Sequence, residues 1–231
     1  MSLARADVVV ITPAWNEQDS VAAVVTDAVT HGYRVVVVDD GSSDQTAVRA
    51  RDAGAIVLRH PFNLGVGAAL QTGFREAVRM DAGAVVQVDA DGQHTVDQIP
   101  LLTDRLDGDL QMVIGSRFVD DRHPRSPRGV AMRYLAARAS KVAATTLTDA
   151  SSGYRAIGRP LLELFARRFP SSYLGDTFGS ILLASRHGFR VAEVPVMMRD
   201  RQAGQPSTGT AKAVLLVARA IASSMTSETK Q

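Results

Sequence analysis

The 231-residue chain has no cysteine, which excludes disulfides and thiolate metal sites and fits a reducing compartment. No apolar run approaches the roughly 20 residues that a membrane-spanning helix needs. Residues 1–7 hold no apolar core of the kind that marks a secretory signal, so the expected location is the cytoplasm. A net charge of +2 is too small to imply a nucleic-acid partner. Repeats and low-complexity linkers are also missing. What remains is 45% hydrophobic and 22% charged, the balance of one large domain able to bury a substantial core. The charge is unevenly spread. Arg117, Arg122, Arg125, Arg128, Arg133, Arg138 and Lys141 face only Asp120 and Asp121 in the same stretch, a local excess suited to an anionic ligand or surface.

Apolar strands alternate with helical patterns through the first half. Strands are expected at Asp7–Thr12, Arg34–Asp39, Ala55–Arg59, Ala84–Asp89 and Gln111–Gly115. Helices follow from about Val21 to Gly32, from Ser42–Asp44 to about Ala53, from Asn63–Gly67 to about Met80, and from Pro100 to Gly108. Near-continuous Val-rich strands with intervening helices point to a mostly parallel sheet covered on both faces, an α/β fold. The second half is less regular. Arg122–Gly129 reads as a loop, Val130–Leu147, Pro160–Arg168 and Thr177–Arg186 as helices, and Val191–Val196 as a strand. Arg199–Thr210 reads as a loop and Ala211–Met225 as a last, amphipathic helix, docked on the core or lying in a membrane interface.

Ligands of α/β sheets bind beyond the carboxyl ends of strands, and the chemistry-bearing residues of this chain gather there. Asp89 and Asp91, one residue apart after the fourth strand, with the Gln93 carbonyl and His94 beyond, suit a hard cation such as Mg²⁺ or Mn²⁺. After the first strand, Pro13-Ala14-Trp15-Asn16-Glu17 offers an aromatic face and a carboxylate to a nucleoside. Asp39 at the end of the second strand could accept ribose or base donors, while Ser42, Ser43 and Asp44 read as helix caps. Asn63-Leu64-Gly65-Val66-Gly67 fits either backbone contact with a ligand or close packing. These glycines follow the third strand and come after the acid, so a nicotinamide or flavin fingerprint fails on order. Arg117, Arg155, Arg199 and Arg201 suit phosphate oxygens.

Together these motifs resemble the family 2 glycosyltransferases of GT-A fold, over about residues 7–210, and within them the dolichyl-phosphate-mannose synthase-like, polyprenyl-phosphate branch. The family patterns are similar to Pro13–Glu17, Val38–Asp44, Asn63–Gly67, Asp89–His94, Gly115–Arg117, Asp149–Arg155 and Val194–Ser207, in this order. The resemblance implies a GT-A domain over 1–210 with a C-terminal amphipathic helix and tail over 211–231. It implies that Pro13, Ala14, Trp15, Glu17, Asp39, Gly67, Asp89, Ala90, Arg117, Arg199, Arg201 and Ser207 bind a UDP- or GDP-sugar. Asp89, Asp91 and Gln93 would hold the metal, Mg²⁺ or Mn²⁺. Trp15 stands where Tyr is usual, keeping the stacking face and losing a hydroxyl.

The reaction implied is sugar transfer with inversion to an acceptor, a polyprenyl phosphate first and a soluble hydroxyl second. A hydroxyl would need a general base, for which Asp149 and Asp176 are candidates beside the catalytic Asp91. A polyprenyl phosphate acceptor also implies peripheral contact with the inner membrane face or a membrane partner protein. Oligomeric state is left open. Two other readings compete: a haloacid-dehalogenase-like phosphatase built on Asp89 and Asp91, and an inactive nucleotide-sugar-binding scaffold.

Overall fold

The computed structural model describes residues 3–118, 127–170 and 175–199. A seven-stranded sheet forms its centre, in the order β3-β2-β1-β4-β6-β5-β7. The strands are β1 (Val8–Ala14), β2 (Arg34–Asp39), β3 (Ile56–Arg59), β4 (Ala84–Gln87), β5 (Leu110–Ser116), β6 (Arg155–Gly158) and β7 (Arg190–Pro195). Helices α1 (Val21–Thr30), α2 (Thr46–Asp52), α3 (Val66–Arg79), α4 (Ile99–Thr103), α5 (Pro127–Ala143), α6 (Arg159–Arg167) and α7 (Ser180–Arg186) cover it.

Side chains alternate along each strand, so an all-apolar strand feeds two cores at once. Val8 and Val10 of β1 pack with Val35, Val37, Val25, Ile99 and Leu102 on one face. Val9 and Ile11 pack with Val36, Val38, Phe74, Leu161 and Phe165 on the other. Each fully buried side chain of this size contributes about 1.5–3 kcal/mol. Phe74, Phe165 and Phe169 join α3 to α6 and to the segment after it, with ring centroids 5.0–5.8 Å apart.

The expected α/β architecture is the observed one, with two informative differences. The fourth strand stops at Gln87 instead of Asp89, because the chain turns there to bring His94 back onto the Asp89 amide. The second is a strand that the sequence pattern did not reveal. Only four residues long, β6 runs antiparallel to both β4 and β5. Its reversed direction brings the segment just before it, Asp149–Tyr154, to the edge of the sheet where β1, β2 and β4 end. Helix α5 also starts earlier than Val130, at Pro127. The expected features beyond residue 199, including the helix Ala211–Met225, lie outside the described residues, as do Arg201 and Ser207.

Candidate active site

The loops after β1 and β2 are tied to each other. The Asn16 amide donates to Ser42 Oγ at 2.9 Å, and Asn16 Oδ1 accepts from the Ser43 amide at 2.9 Å. The Glu17 amide donates to Thr46 Oγ1 at 2.9 Å, and the Gln45 amide donates to Gln18 Oε1 at 3.1 Å. Ser42 and Ser43 thus bind the neighbouring loop instead of capping α2; Asp44 does cap its first turn, accepting the Thr46 amide at 2.9 Å. Asn16 holds a left-handed φ of 54°, which this lacing sustains. The result leaves Trp15 49% exposed, on the rim of the sheet and not in the core. Pro13 is partly buried and Ala14 buried beside Asp39, its strand partner. The Glu17 carboxylate accepts the Ser20 hydroxyl at 2.9 Å, so part of its work is at the start of α1.

Asp39 and Asp40 divide their labour. Asp39 is fully buried, with Oδ1 accepting the Ser42 amide at 3.0 Å. Asp40 accepts the amides of Leu64 and Gly65 at 2.9 and 2.8 Å and pairs with His60 at 2.7 Å. It therefore anchors the glycine loop. Gly41 supports the same contact: at φ +75°, any Cβ there would lie 2.5 Å from the Phe62 carbonyl carbon. Gly67 is buried in the first turn of α3. Close packing thus accounts for Gly67, whereas Gly65 has open space around it and is required by its φ of +92°.

Around Asp89 the chain forms a tight loop. The Asp89 amide donates to His94 Nδ1 at 3.0 Å, so that nitrogen carries no proton, and the ring stacks on Tyr154 at 4.7 Å. Tyr154 donates its hydroxyl to the Thr95 carbonyl at 2.7 Å, and burial pushes its pKa far up. His94 is thus a buried support, not an outward-facing ligand. Asp91 is buried and accepts the Gln93 amide at 3.0 Å, with Ala90 buried between the two acids. The Gln93 carbonyl accepts the Arg199 amide at 2.9 Å, which brings exposed Arg199 beside the acidic loop.

The segment delivered by β6 closes the site. Gly153 packs so tightly against Asp89 that a Cβ would lie 2.9 Å from Oδ2. Asp149, with no exposed side-chain surface, takes Arg117 in a bidentate grip, Nε to Oδ2 at 2.6 Å and Nη2 to Oδ1 at 2.9 Å. Burial works to raise the Asp149 carboxyl, but the Arg117 bonds and charge and the Ser151 hydrogen bond outweigh it and hold it below the ordinary carboxylate value. Burial likewise opposes the Arg117 charge, yet Asp149, and more weakly Asp89, raise its pKa.

Arg155 is 1% exposed and therefore cannot meet a phosphate. Burial lowers its pKa to about 10, so it stays charged at neutral pH. It donates to the carbonyls of Ser152 (2.7 Å), Ala150 (3.0 Å) and Thr177 (2.8 Å) and to Ser180 Oγ (2.7 Å). It clamps the Asp149–Tyr154 segment to the turn Gly175–Gly179, which carries Asp176. Burial, with Asp89's like charge adding to it, pushes the Asp176 carboxyl above its ordinary value against the pull of Arg155.

The structure therefore gathers Ala14, Trp15 and Asp39 on one side of the sheet edge. Asp89, Asp91, Arg117, Asp149, Asp176 and Arg199 gather on the other. The donor set at Asp89 and Asp91 fits a hard divalent cation. It is two carboxylates, Asp89 half-exposed and Asp91 buried, with no thiolate; the buried His94 ring backs Asp89, its Nε2 3.8 Å from Asp89 Oδ2. Among the described residues no group of three or more His, Asp or Glu side chains forms a metal cluster. A cation held from the exposed side of Asp89 would keep coordination positions for substrate oxygens and water.

A mostly parallel sheet with these acids at its carboxyl edge is the GT-A glycosyltransferase fold. The chain belongs to glycosyl transferase family 2, whose profile matches residues 9–165. It is 30% identical over 209 residues to polyprenol monophosphomannose synthase of Mycolicibacterium smegmatis, covering 84% of this chain and 78% of that one. It is 26% identical over 211 residues to the UDP-N-acetylglucosamine–dolichyl-phosphate N-acetylglucosaminyltransferase of Methanococcus voltae, covering 80% and 83%. Its fold is similar, at a TM-score of 0.66 and 21% identity, to glucosyl-3-phosphoglycerate synthase of Mycobacterium tuberculosis crystallised with Mn²⁺, UDP and phosphoglyceric acid. That match covers 96% of this chain and 78% of that one.

Proposed function

We propose that this glycosyltransferase moves a sugar, with inversion, from a UDP- or GDP-sugar to the phosphate of a polyprenyl phosphate, using Mg²⁺ or Mn²⁺ held at Asp89 and Asp91. The observation that carries the reading is half-exposed Asp89 with Asp91 in one tight loop, beside an Arg117 whose fork is oriented by Asp149. The names of the two curated relatives support the acceptor, and the Mn²⁺ and UDP bound by the similar structure support the donor and metal. Arg199, and by their motif Arg201 and Ser207, would extend the phosphate contacts, within a catalytic domain spanning 1–210. Among the described residues no helix is long and apolar enough to cross a membrane. The reading has a polyprenyl acceptor reached peripherally or through a membrane partner, by way of the helix expected in 211–231.

The barrier to transfer lies in expelling the nucleoside diphosphate as positive charge grows on the sugar ring. A bound divalent cation supplies charge neutralisation to that leaving group. The protein contributes a preorganised environment. Asp149 fixes the Arg117 fork so that its charge costs no reorientation during reaction. Arg155 keeps the loop bearing Asp149 and the turn bearing Asp176 in register. Gly153 leaves room for the Asp89 carboxylate. A polyprenyl phosphate, with a second pKa of about 6, is largely ionised at pH 7 and attacks without a general base.

A hydroxyl acceptor is the second reading, favoured by one observation: a carboxyl raised above its ordinary value at Asp176 is suited to accept a proton. Asp149, saturated by Arg117 and Ser151, is suited only to positioning.

The test is transfer from a panel of UDP- and GDP-sugars, with Mn²⁺, to a polyprenyl phosphate or to small hydroxyl acceptors. A polyprenyl-phosphate sugar is the expected product. Asp91→Asn should lose Mn²⁺-dependent nucleotide binding and lower transfer by about 10²–10³-fold while the protein stays folded. Equal nucleotide binding by this variant would overturn the metal assignment, and transfer to hydroxyls alone would replace the first acceptor with the second.

A further inference from the structure

The loop that carries Asp149 is held from β7, the edge strand, which β5 separates from β6. β7 runs parallel to β5 and sets Glu193 against Ile114, two residues short of Ser116. From there the Glu193 carboxylate reaches the Asp149 loop. Both of its oxygens accept the Thr148 amide, at 2.7 and 2.9 Å. Oε1 also accepts the Thr148 hydroxyl at 2.7 Å, and Oε2 accepts the Asp149 amide at 3.3 Å. Among the described residues its hydrogen bonds all go to this dipeptide.

The hydroxyls extend the grip to the end of β5. A carboxylate only accepts, so Thr148 gives its proton to Glu193, and the Ser116 hydroxyl, 2.7 Å away, donates to Thr148 Oγ1. Ser116 Oγ in turn accepts the Phe118 amide at 3.1 Å. One carboxylate thereby orients a chain of donors that ends on both sequence neighbours of Arg117. The same carboxylate holds the backbone of Asp149, which grips the Arg117 fork and whose Oδ2 also accepts the Arg117 amide at 3.3 Å.

We infer that Glu193 is a positioning residue for transfer: it fixes Ser116 and Asp149, and through them the direction in which the Arg117 fork presents its charge. The inference rests on the glycosyltransfer reading of the site and adds to it a group that acts only through Arg117. A charge aimed in advance costs no reorientation during reaction, which gives the fork its value. A carboxylate placed for stability alone would be indifferent to the side chain at 117. One placed for orientation matters only while there is a fork to orient. In Glu193→Gln the remaining oxygen still takes the Thr148 donors, but the new NH2 group meets the Asp149 amide, donor against donor, and displaces that residue.

The test is a double-variant cycle on the whole protein. It reads kcat/KM for transfer from the preferred nucleotide sugar, with Mn²⁺, to the acceptor it serves, alongside thermal melting. Glu193→Gln should lower kcat/KM by about 10- to 100-fold. In an Arg117→Lys background, which keeps a cation without the planar fork, the same change should cost no more than about twofold. Thr148→Val, nearly isosteric but unable to pass the chain on, should behave as Glu193→Gln does, and Thr148→Ser should retain activity. The Thr148 pair carries the test if Glu193→Gln does not fold. Wild-type kcat/KM in both Glu193→Gln and Thr148→Val, or an equal loss with Arg117 and with Lys at 117, overturns the inference and leaves the proposed function standing. Absence of transfer by the wild type to any acceptor overturns that function, and the inference falls with it.

Discussion

The two sides of the candidate site are built by different means. On the side proposed for the nucleoside, loops after adjacent parallel strands are joined chiefly by amide and hydroxyl hydrogen bonds, with buried Asp39 and Asp40 anchoring the turns behind them, and the exposed surface is the face of Trp15. On the diphosphate side, charge dominates. Arg117 and Arg155 are interleaved with Asp89, Asp149 and Asp176, several of them buried, around a short antiparallel strand. In the first region, stability comes from backbone lacing, and the ligand-facing groups are additions to it. In the second, the groups that would act on substrate also hold the fold together. Function and stability should therefore separate on one side and be coupled on the other.

The sharpest test of that contrast is Arg117→Ala. It strands the Asp149 carboxylate, whose side chain has no exposed surface, without its bidentate partner. Breaking a buried pair by removing one member costs about 3–5 kcal/mol, and part of the Arg117 fork reaches solvent, so the lower value is expected. Denaturant unfolding should register this loss together with a fall in transfer. The paired change Arg117→Met with Asp149→Leu should restore stability without restoring activity. The sign of the pH effect follows from the depressed Asp149 carboxyl. Its contribution is present above the ordinary carboxylate range and lost as pH falls through its lower, folded value. Wild type should lose this stabilisation at acid pH, and the double variant should not.

Trp15→Ala is the counterpart on the other side. An exposed aromatic stacked on a base contributes about 1–3 kcal/mol, so nucleotide affinity should fall about 5- to 150-fold while the melting curve stays in place. A large drop in melting temperature would mean that Trp15 is a packing residue and that the contrast is wrong.

The smallest effect is expected at Asp176. Burial disfavours its ionised form, so Asp176→Asn should raise stability slightly near pH 7, the region where the native carboxyl pays for its charge. Its effect on transfer separates the acceptors. With a polyprenyl phosphate, activity should change little. With a hydroxyl acceptor, the rate should collapse, and wild type should show an acid limb above the ordinary carboxylate range. A pH profile of kcat for both proteins reads this directly.

The order of strands and helices in the first half was legible because each βα unit carries its own punctuation: Val-rich runs, Gly32 after α1, and acids at strand ends. Asp39 and the Asp89–Asp91 pair could be placed at one sheet edge for the same reason. The strand β6 was not legible. Arg155–Gly158 is too short to show alternation, and its partners lie some 40 to 70 residues earlier in the chain. Asp149 and Arg155 were accordingly expected to serve as a base and a phosphate ligand. Their depth decided otherwise, and depth is a tertiary property. Arg59, whose Nε stands 3.0 Å from Asp39 Oδ2, escaped notice because a single arginine ending an edge strand looks like any solvated one. Only the register with Asp39 shows that it covers a buried carboxylate.

By itself, then, the sequence determined the α/β class, the family motifs and the residue types at the strand ends, because these depend on local propensity and spacing. The tertiary structure alone decided which of those residues work as a pair, which carboxylate is saturated and which raised. Burial and the approach of charges distant in sequence set those properties, and neither is encoded in a motif. The antiparallel strand brings Arg117 and Asp149 to the same edge as Asp89, and that juxtaposition turns a row of motifs into a site.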